Sequence, residues 1–319
     1  MLATPRRSHA VPPGLVVGLA LGAGVLAAVQ ARVNGELGLR LHDAYLAALV
    51  SFGVGWVMLV ALVGAHPRLR RALHRPSQPT RWWYYVGGAG GATLVAVSAA
   101  AAPVLGVALL TVGQVAGQTS GSLLVDRLGF GPAGRHAVTM RRLAGAGLAL
   151  AAVLLAMFGR GHGRVSAGYI ALAVIAGLAV SVQVAVNGRL RQANGEVTVT
   201  ALVNFTTGTT LLAVGAVALR ATGHLPIGHW PWEPWLYTGG PLGATFVAIA
   251  AFAVRHLGVL RLALLTIAGQ LLGAALLDIV LPAAGHGLAA TTVGAGLLTL
   301  VAVRVAGSQS RPLSREATA

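Results

Sequence analysis

The sequence predicts an all-α membrane protein of about ten transmembrane helices, arranged as two five-helix repeats of opposite orientation. Three observations carry this prediction: a strongly apolar composition, an internal repeat at a nearly constant offset, and a lopsided distribution of arginine along the chain.

Of the 319 residues, 56% are hydrophobic and only 9% charged, against about 25% charged in ordinary soluble chains. Apolar stretches of about 20 residues recur, each long enough to cross a hydrocarbon core about 30 Å thick. A β-barrel would need short segments of alternating polarity, and the sequence has none. The helices read from the pattern span 14–34, 44–65, 84–102, 104–125, 142–159, 167–187, 197–219, 235–254, 256–281 and 289–306. The first follows a basic start and could pass for a signal peptide. Its apolar run is long, however, and no small-x-small site leads into a soluble domain, so it reads as a retained span.

The repeat is visible in the residues themselves. VQARVNGEL at 29–37 matches VQVAVNGRL at 182–190, and ALVSFGVG at 48–55 matches ALVNFTTG at 201–208, both at an offset of 153. GGAGGAT at 87–93 matches GGPLGAT at 239–245, and AGQTSGSLLVD at 116–126 matches AGQLLGAALLD at 268–278, both at 152. LGV recurs at 105–107 and 257–259, and GAGL at 145–148 and 294–297. The implied units are 14–160 and 166–307, with 308–319 a disordered cytoplasmic tail.

An odd number of helices per unit forces the second unit to insert upside down. Arginine placement agrees: with the N-terminus inside, 18 arginines fall on inner segments and 5 on outer ones, the bias expected of cytoplasmic loops. Loop 66–82 holds five arginines and its counterpart 220–234 only one. Aromatic anchors invert with the charge, Trp82, Trp83, Tyr84 and Tyr85 at one face and Trp230, Trp232, Trp235 and Tyr237 at the other. Both termini are expected in the cytoplasm of a bacterial inner-membrane protein.

Several function classes fall away. The net charge of +16 is spread over short loops between spans, which is topology rather than a nucleic-acid surface. The basic residues are all arginine, which removes a P-loop lysine or a Schiff base, and without cysteine there is no thiolate chemistry or disulfide. Gly129-x-Gly131-x-x-Gly134 mimics a dinucleotide fingerprint but contains Pro132 and has no strand–helix context. His224 and His229 lack a third metal ligand. An intramembrane enzyme would need a nucleophile with its base, a zinc motif or paired mid-membrane aspartates, and a channel a charged ring or carbonyl filter; the sequence offers neither. No cofactor or metal is expected. The expected partners are the lipid bilayer and a small-molecule substrate, with no nucleic acid and a homodimer left open.

The repeated residues resemble a known family. Q-x-x-x-N-G ends the first helix of each unit, and S/N-F followed by glycine marks the second. W-x-x-x-G-G-x-x-G-A opens the third, and L-G with a later G-Q-x7-D marks the fourth. Together these are similar to the YdcZ-type bacterial inner-membrane proteins of the drug/metabolite transporter superfamily, whose fold is EamA-like. The resemblance spans 14–306 and implies a fused pair of units and an exporter without a defined cargo. The first copy departs by an extra pair, Gly113 and Gln114, one turn before Gly117 and Gln118.

Polar side chains inside a bilayer are costly unless partnered or facing water, so they are the candidate site. Thr111, Gln114, Gln118 and Ser122 fall on one helical stripe, with Thr266 and Gln270 the counterparts in the second copy. Gln118 and Gln270 are expected to face each other at mid-membrane and line a cavity; the competing reading is that they bind helices together, at about 0.6 kcal/mol per bond. Gln30 and Asn34, and Gln183 and Asn187, lie at opposite faces as lining residues and paired gates, or as plain helix ends with Gly35 and Gly188 as stop signals. Asp126 and Asp278 are matched acids that could couple transport to protons, the simpler reading for Asp126 being an interfacial pair with Arg127. Gly18, Gly22, Gly87, Gly91, Gly239 and Gly243 are expected to form close helix contacts, and Arg261 to snorkel. The function so read is a secondary exporter of a small neutral, zwitterionic or amphipathic metabolite or drug, against a channel, a purely structural membrane protein or an intramembrane enzyme.

Reporter fusions within 66–82 and 220–234 should label opposite sides of the membrane; finding both on one side would remove the inverted architecture.

Overall fold

The computed structural model describes residues 11–157, 166–223, 230–280 and 290–307, which are helical almost throughout and include no strand. The long elements are α1 (Pro13–Leu41), α2 (Ala44–Ala65), α4 (Gly88–Leu128), α5 (Met140–Met157), α6 (Ala167–Asn194), α7 (Val197–Ala221), α8 (Gly239–Val280) and α9 (Ala290–Gly307), with a short surface helix α3 (Pro67–His74). Among the described residues α1, α2, α6, α7 and the run Pro234–Leu277 are long and apolar enough to cross a membrane.

α4 and α8 have 41 and 42 residues. Straight, each would reach about 60 Å, twice a hydrocarbon core. Both instead double back. α8 reverses at Gly258, whose φ of 74° and ψ of 168° are open to glycine and strained for other residues. In α4 the Gln114 amide donates to the Ser98 hydroxyl at 2.8 Å, whereas sixteen residues of straight helix would hold them about 24 Å apart. Gly90 and Gly121 accordingly both lie beside α6, against Gln183 and Ser181. Pro103 and Gly106 fall between the two arms, near the break expected at 103. The break expected at 255 lies three residues later, at Gly258. The two arms of α4 and of α8 are thus the third and fourth spans of each repeat.

Side-chain neighbours fix the inversion. The start of α1 (Val16, Ala20) shares an apolar cluster with the end of α6 (Val184, Ala185), so these equivalent helices run antiparallel. The 3-10 turn Trp82–Val86 leads into Gly87 beside Asn187 at the end of α6, whereas Leu236 of the turn Pro234–Tyr237 packs on Leu37 and Leu41 at the end of α1. Equivalent aromatic turns therefore sit at opposite ends of the molecule.

α1 and α6 run on to Leu41 and Asn194, so Gly35 and Gly188 lie inside helices and are not the stops expected of them. Inside a bilayer the chain must keep its backbone hydrogen bonds, and an interior glycine costs only about 1 kcal/mol. The helices end where the backbone turns left-handed, at His42 (φ 55°) and Gly195 (φ 77°). The next helix starts at once, with the Asp43 carboxylate accepting from the Leu46 N–H at 2.7 Å.

Four close crossings join the repeats, in symmetric pairs. A Cβ on Gly24 would lie 2.2 Å from the Thr266 carbonyl oxygen, and one on Gly177 2.0 Å from that of Gln114. A Cβ on Gly240 would lie 2.3 Å from the Ser51 carbonyl oxygen, and one on Gly88 2.0 Å from that of Asn204. Each is backbone on backbone, a contact only a missing side chain permits. Gly18 and Gly22 instead face open space, correcting the expectation for that pair. Gly177→Leu and Gly88→Leu should therefore abolish monodisperse protein in detergent, while Gly18→Leu should elute and melt like the wild type.

Candidate functional site

Each end of the repeat interface carries a joint in which amides press onto glycine. At one end, Asn34 Oδ1 and Ser51 Oγ lie where Cβ atoms on Gly239 would sit, 2.0 and 2.9 Å away, and the Gln30 amide meets Gly243. At the other, the Asn187 amide meets Gly87 and the Gln183 amide meets Gly90 and Gly91. The W-x-x-x-G-G-x-x-G-A glycines thus make room for the Q-x-x-x-N amides of the opposite repeat. At the second joint Asn187 Nδ2 donates to Asn204 Oδ1 at 2.8 Å; Ser51 stands in the position of Asn204 at the first. Polar atoms remain shielded without a partner at both joints: Asn34 Oδ1 and Ser51 Oγ at one, Gln183 Oε1, Asn187 Oδ1 and Asn204 Nδ2 at the other. Such atoms carry a desolvation cost, so neither joint is a minimum of hydrogen bonding. Phe52 stacks on Phe205, its own repeat equivalent, at 5.0 Å between ring centres, which puts this pair on the pseudo-two-fold axis.

Between the joints lies a cavity of about 10 Å³ lined by Gln118, Ser122, Ser181, Thr266 and apolar residues including Phe246. That is room for about one water. Gln118 therefore shares its cavity with Thr266, one turn before Gln270, while Gln270 is exposed and takes no part in this lining. Ser181 Oγ donates to the Gln118 carbonyl at 2.7 Å and lies 3.1 Å from Ser122 Oγ. Gln114 is held by Ser98, and Thr111 is half-buried on the same stripe. A wider open groove of about 440 Å³ lies outside the centre, where Trp56 of α2 donates to Thr206 of α7 at 3.0 Å.

Asp126 is 2% exposed and paired with Arg142, which is 5% exposed. Its oxygens also accept from the Val259 and Leu260 N–H groups at 2.9 and 3.1 Å, the free donors where α8 restarts after Gly258. The acid therefore pins the reversal of one repeat to the fourth span of the other. Arg127, the partner expected from sequence, is exposed, and Arg142 takes its place because it enters from α5 beneath the fold-back. The Asp278 side chain lies outside the described residues, as do His224 and His229. Residues 129–134 form a clamped loop: Arg189 donates to the Gly129 and Phe130 carbonyls at 2.9 and 3.2 Å, and Phe130 stacks on Trp83 at 4.7 Å. Arg261 is half-buried and its Nε has no acceptor. At the opposite end Arg40 bridges Glu36 and Glu233, whose carboxyl is lowered by its own backbone N–H and by Arg40.

Ser51 and Asn204 entered the sequence reading only as the S/N of the second-helix motif, and Ser181 and Arg142 were not among the candidate site residues. The first two sit in the aligned repeat segments and were open to discovery there; Ser181 aligns with Ala28 and Arg142 with Thr291, so neither is marked by a repeat of its own kind.

These joints are made by the repeated motifs themselves, and a family profile described as "Putative inner membrane exporter, YdcZ" matches the chain twice, over 15–155 and 168–305. The chain belongs to this family. As a YdcZ-type protein it carries both copies in one polypeptide. A solved structure titled only "Crystal structure of protein" is 20% identical, with a TM-score of 0.63 over 92% of this chain and 95% of that one, a likeness of fold alone. No curated protein matches the sequence.

Asp126→Ala leaves a buried guanidinium unpaired and should lower stability by about 3–5 kcal/mol, read as a marked fall in thermal unfolding midpoint in detergent. Arg127→Ala should leave that midpoint unchanged.

Proposed function

We propose that this protein is a secondary exporter that moves a small neutral, zwitterionic or amphipathic metabolite or drug by alternating access, with its N- and C-termini in the cytoplasm. The observation that carries the reading is the matched pair of amide–glycine joints at opposite ends of an inverted-repeat interface. Inverted repeats place a binding site between the halves and let one bundle rock against the other around it. Two equivalent joints with unpaired polar atoms suit gates that separate and close by turns. The cargo site lies between them, where Gln118, Thr266, Gln114 and Thr111 offer hydrogen bonds and no charge. Gln30, Asn34, Gln183 and Asn187 line the two exits. A strongly anionic cargo would want a cation at mid-depth, and the lining has none. Asp126 and Asp278 are the symmetric acids through which proton coupling would run.

The absence of cysteine makes the test clean. In proteoliposomes challenged with a metabolite and drug panel, with and without a proton gradient, Gln118→Ala should cut saturable flux about fivefold, the loss of roughly one hydrogen bond. A disulfide between Asn34→Cys and Gly239→Cys, or between Asn187→Cys and Gly87→Cys, should stop flux until reduced. Undiminished flux with either joint locked would rule out alternating access through these gates.

A further inference from the structure

The arginine-rich end holds a group of basic side chains, two arginines and a histidine, that neither the fold nor the proposed transport path uses. Arg191 closes α6, and its guanidinium lies 5.1 Å above the ring of Phe252 in α8. The same ring meets His256 at 5.1 Å, and the charges of Arg191 and Arg255 both reach His256 and each other. None of these three makes an ion pair among the described residues, because the nearby Glu196 is held by Arg68 at 2.8 Å. Arg191 is half-buried, and its Nε is shielded from solvent with no acceptor. Arg255 and His256 are exposed beside it.

Like charges gathered without a counter-ion repel, and a desolvated guanidinium donor without an acceptor is costly. An aromatic shelf fixes the plane of an arginine and leaves its N–H edge free for the two-pronged contact that phosphate oxygens fit. Basic pockets between spans at a membrane face are suited to phospholipid headgroups. Here the group lies where α6 ends and α8 approaches its reversal at Gly258, and α3 reaches the same face through the Arg68–Glu196 pair. That helix turns Leu69 and Leu73 toward the protein and leaves Arg70 and Arg71 exposed.

We infer that Arg191, Arg255 and His256, on the Phe252 shelf, form a binding site for a phosphate-bearing anion at the arginine-rich face. The headgroup of an anionic phospholipid and free phosphate share this chemistry. The site does not depend on the transport reading, since it lies off the central cavity and its test measures no flux.

The test uses the full-length protein in detergent and in nanodiscs, with tryptophan fluorescence reporting thermal unfolding. Phosphatidylglycerol should raise the unfolding midpoint in a saturable way and phosphatidylcholine should not. Arg255→Ala removes an exposed side chain, so the protein should still fold, with apparent affinity for phosphatidylglycerol weakened about tenfold. Arg191→Lys keeps the charge, loses the planar fork and should weaken binding to a similar degree. Arg70→Ala, on the same face but outside the group, should leave affinity unchanged. A response to inorganic phosphate as well as lipid identifies phosphate itself as the ligand; a response to phosphatidylglycerol alone identifies the headgroup in its bilayer. No response to either, or equal weakening by Arg70→Ala and Arg255→Ala, overturns the site.

Discussion

The structure depends on how closely two backbones can approach inside a bilayer. Helices in lipid gain little from burying apolar surface, since lipid tails are as apolar as leucine, and must hold together by dense contact and hydrogen bonds. The four glycine crossings supply that contact. At each, one helix rests on a carbonyl of the other repeat, with no space for a methyl group. These crossings bring α1 against the fourth span of the second repeat and α6 against that of the first. Once they are set, the amides about two and three turns further along meet glycine.

That geometry gives the recurring motifs a physical meaning. The glutamine and asparagine of Q-x-x-x-N face the glycines that open the third span of the opposite repeat. The aspartate that follows G-Q by eight residues caps the restart of α8 after Gly258. The amides of both copies and Asp126 of the first act between repeats, so a single five-helix unit could not satisfy them alone. This is consistent with a family whose profile matches this chain twice.

The two halves are nevertheless not equivalent. The joint at the arginine-rich end has the Asn187–Asn204 bond, where the other has Ser51. Among the described residues, the same end also holds the buried Asp126–Arg142 pair and the clamped loop under Trp83. Breaking a buried pair is expensive, so this end is held by stronger interactions than amides on glycine alone.

The sequence by itself determined the helical membrane class, the number of spans, the repeat and its inversion. Each of these follows from periodic or additive properties: run length against bilayer thickness, motif offset, and arginine summed over loops. It also marked the site's amides, Gln30, Asn34, Gln183 and Asn187, because a polar side chain in an apolar run is visible without coordinates. Only the tertiary structure decided what those residues touch. It showed that Gly24 rather than Gly18 or Gly22 makes the close crossing, that Gly35 and Gly188 do not end their helices, that Arg142 rather than Arg127 neutralises Asp126, and that Gln118 shares its cavity with Thr266. Each of those outcomes is set by which face of a helix meets which neighbour. Neighbouring positions on a uniformly apolar helix, such as Gly22 and Gly24, carry no difference in pattern that could reveal it.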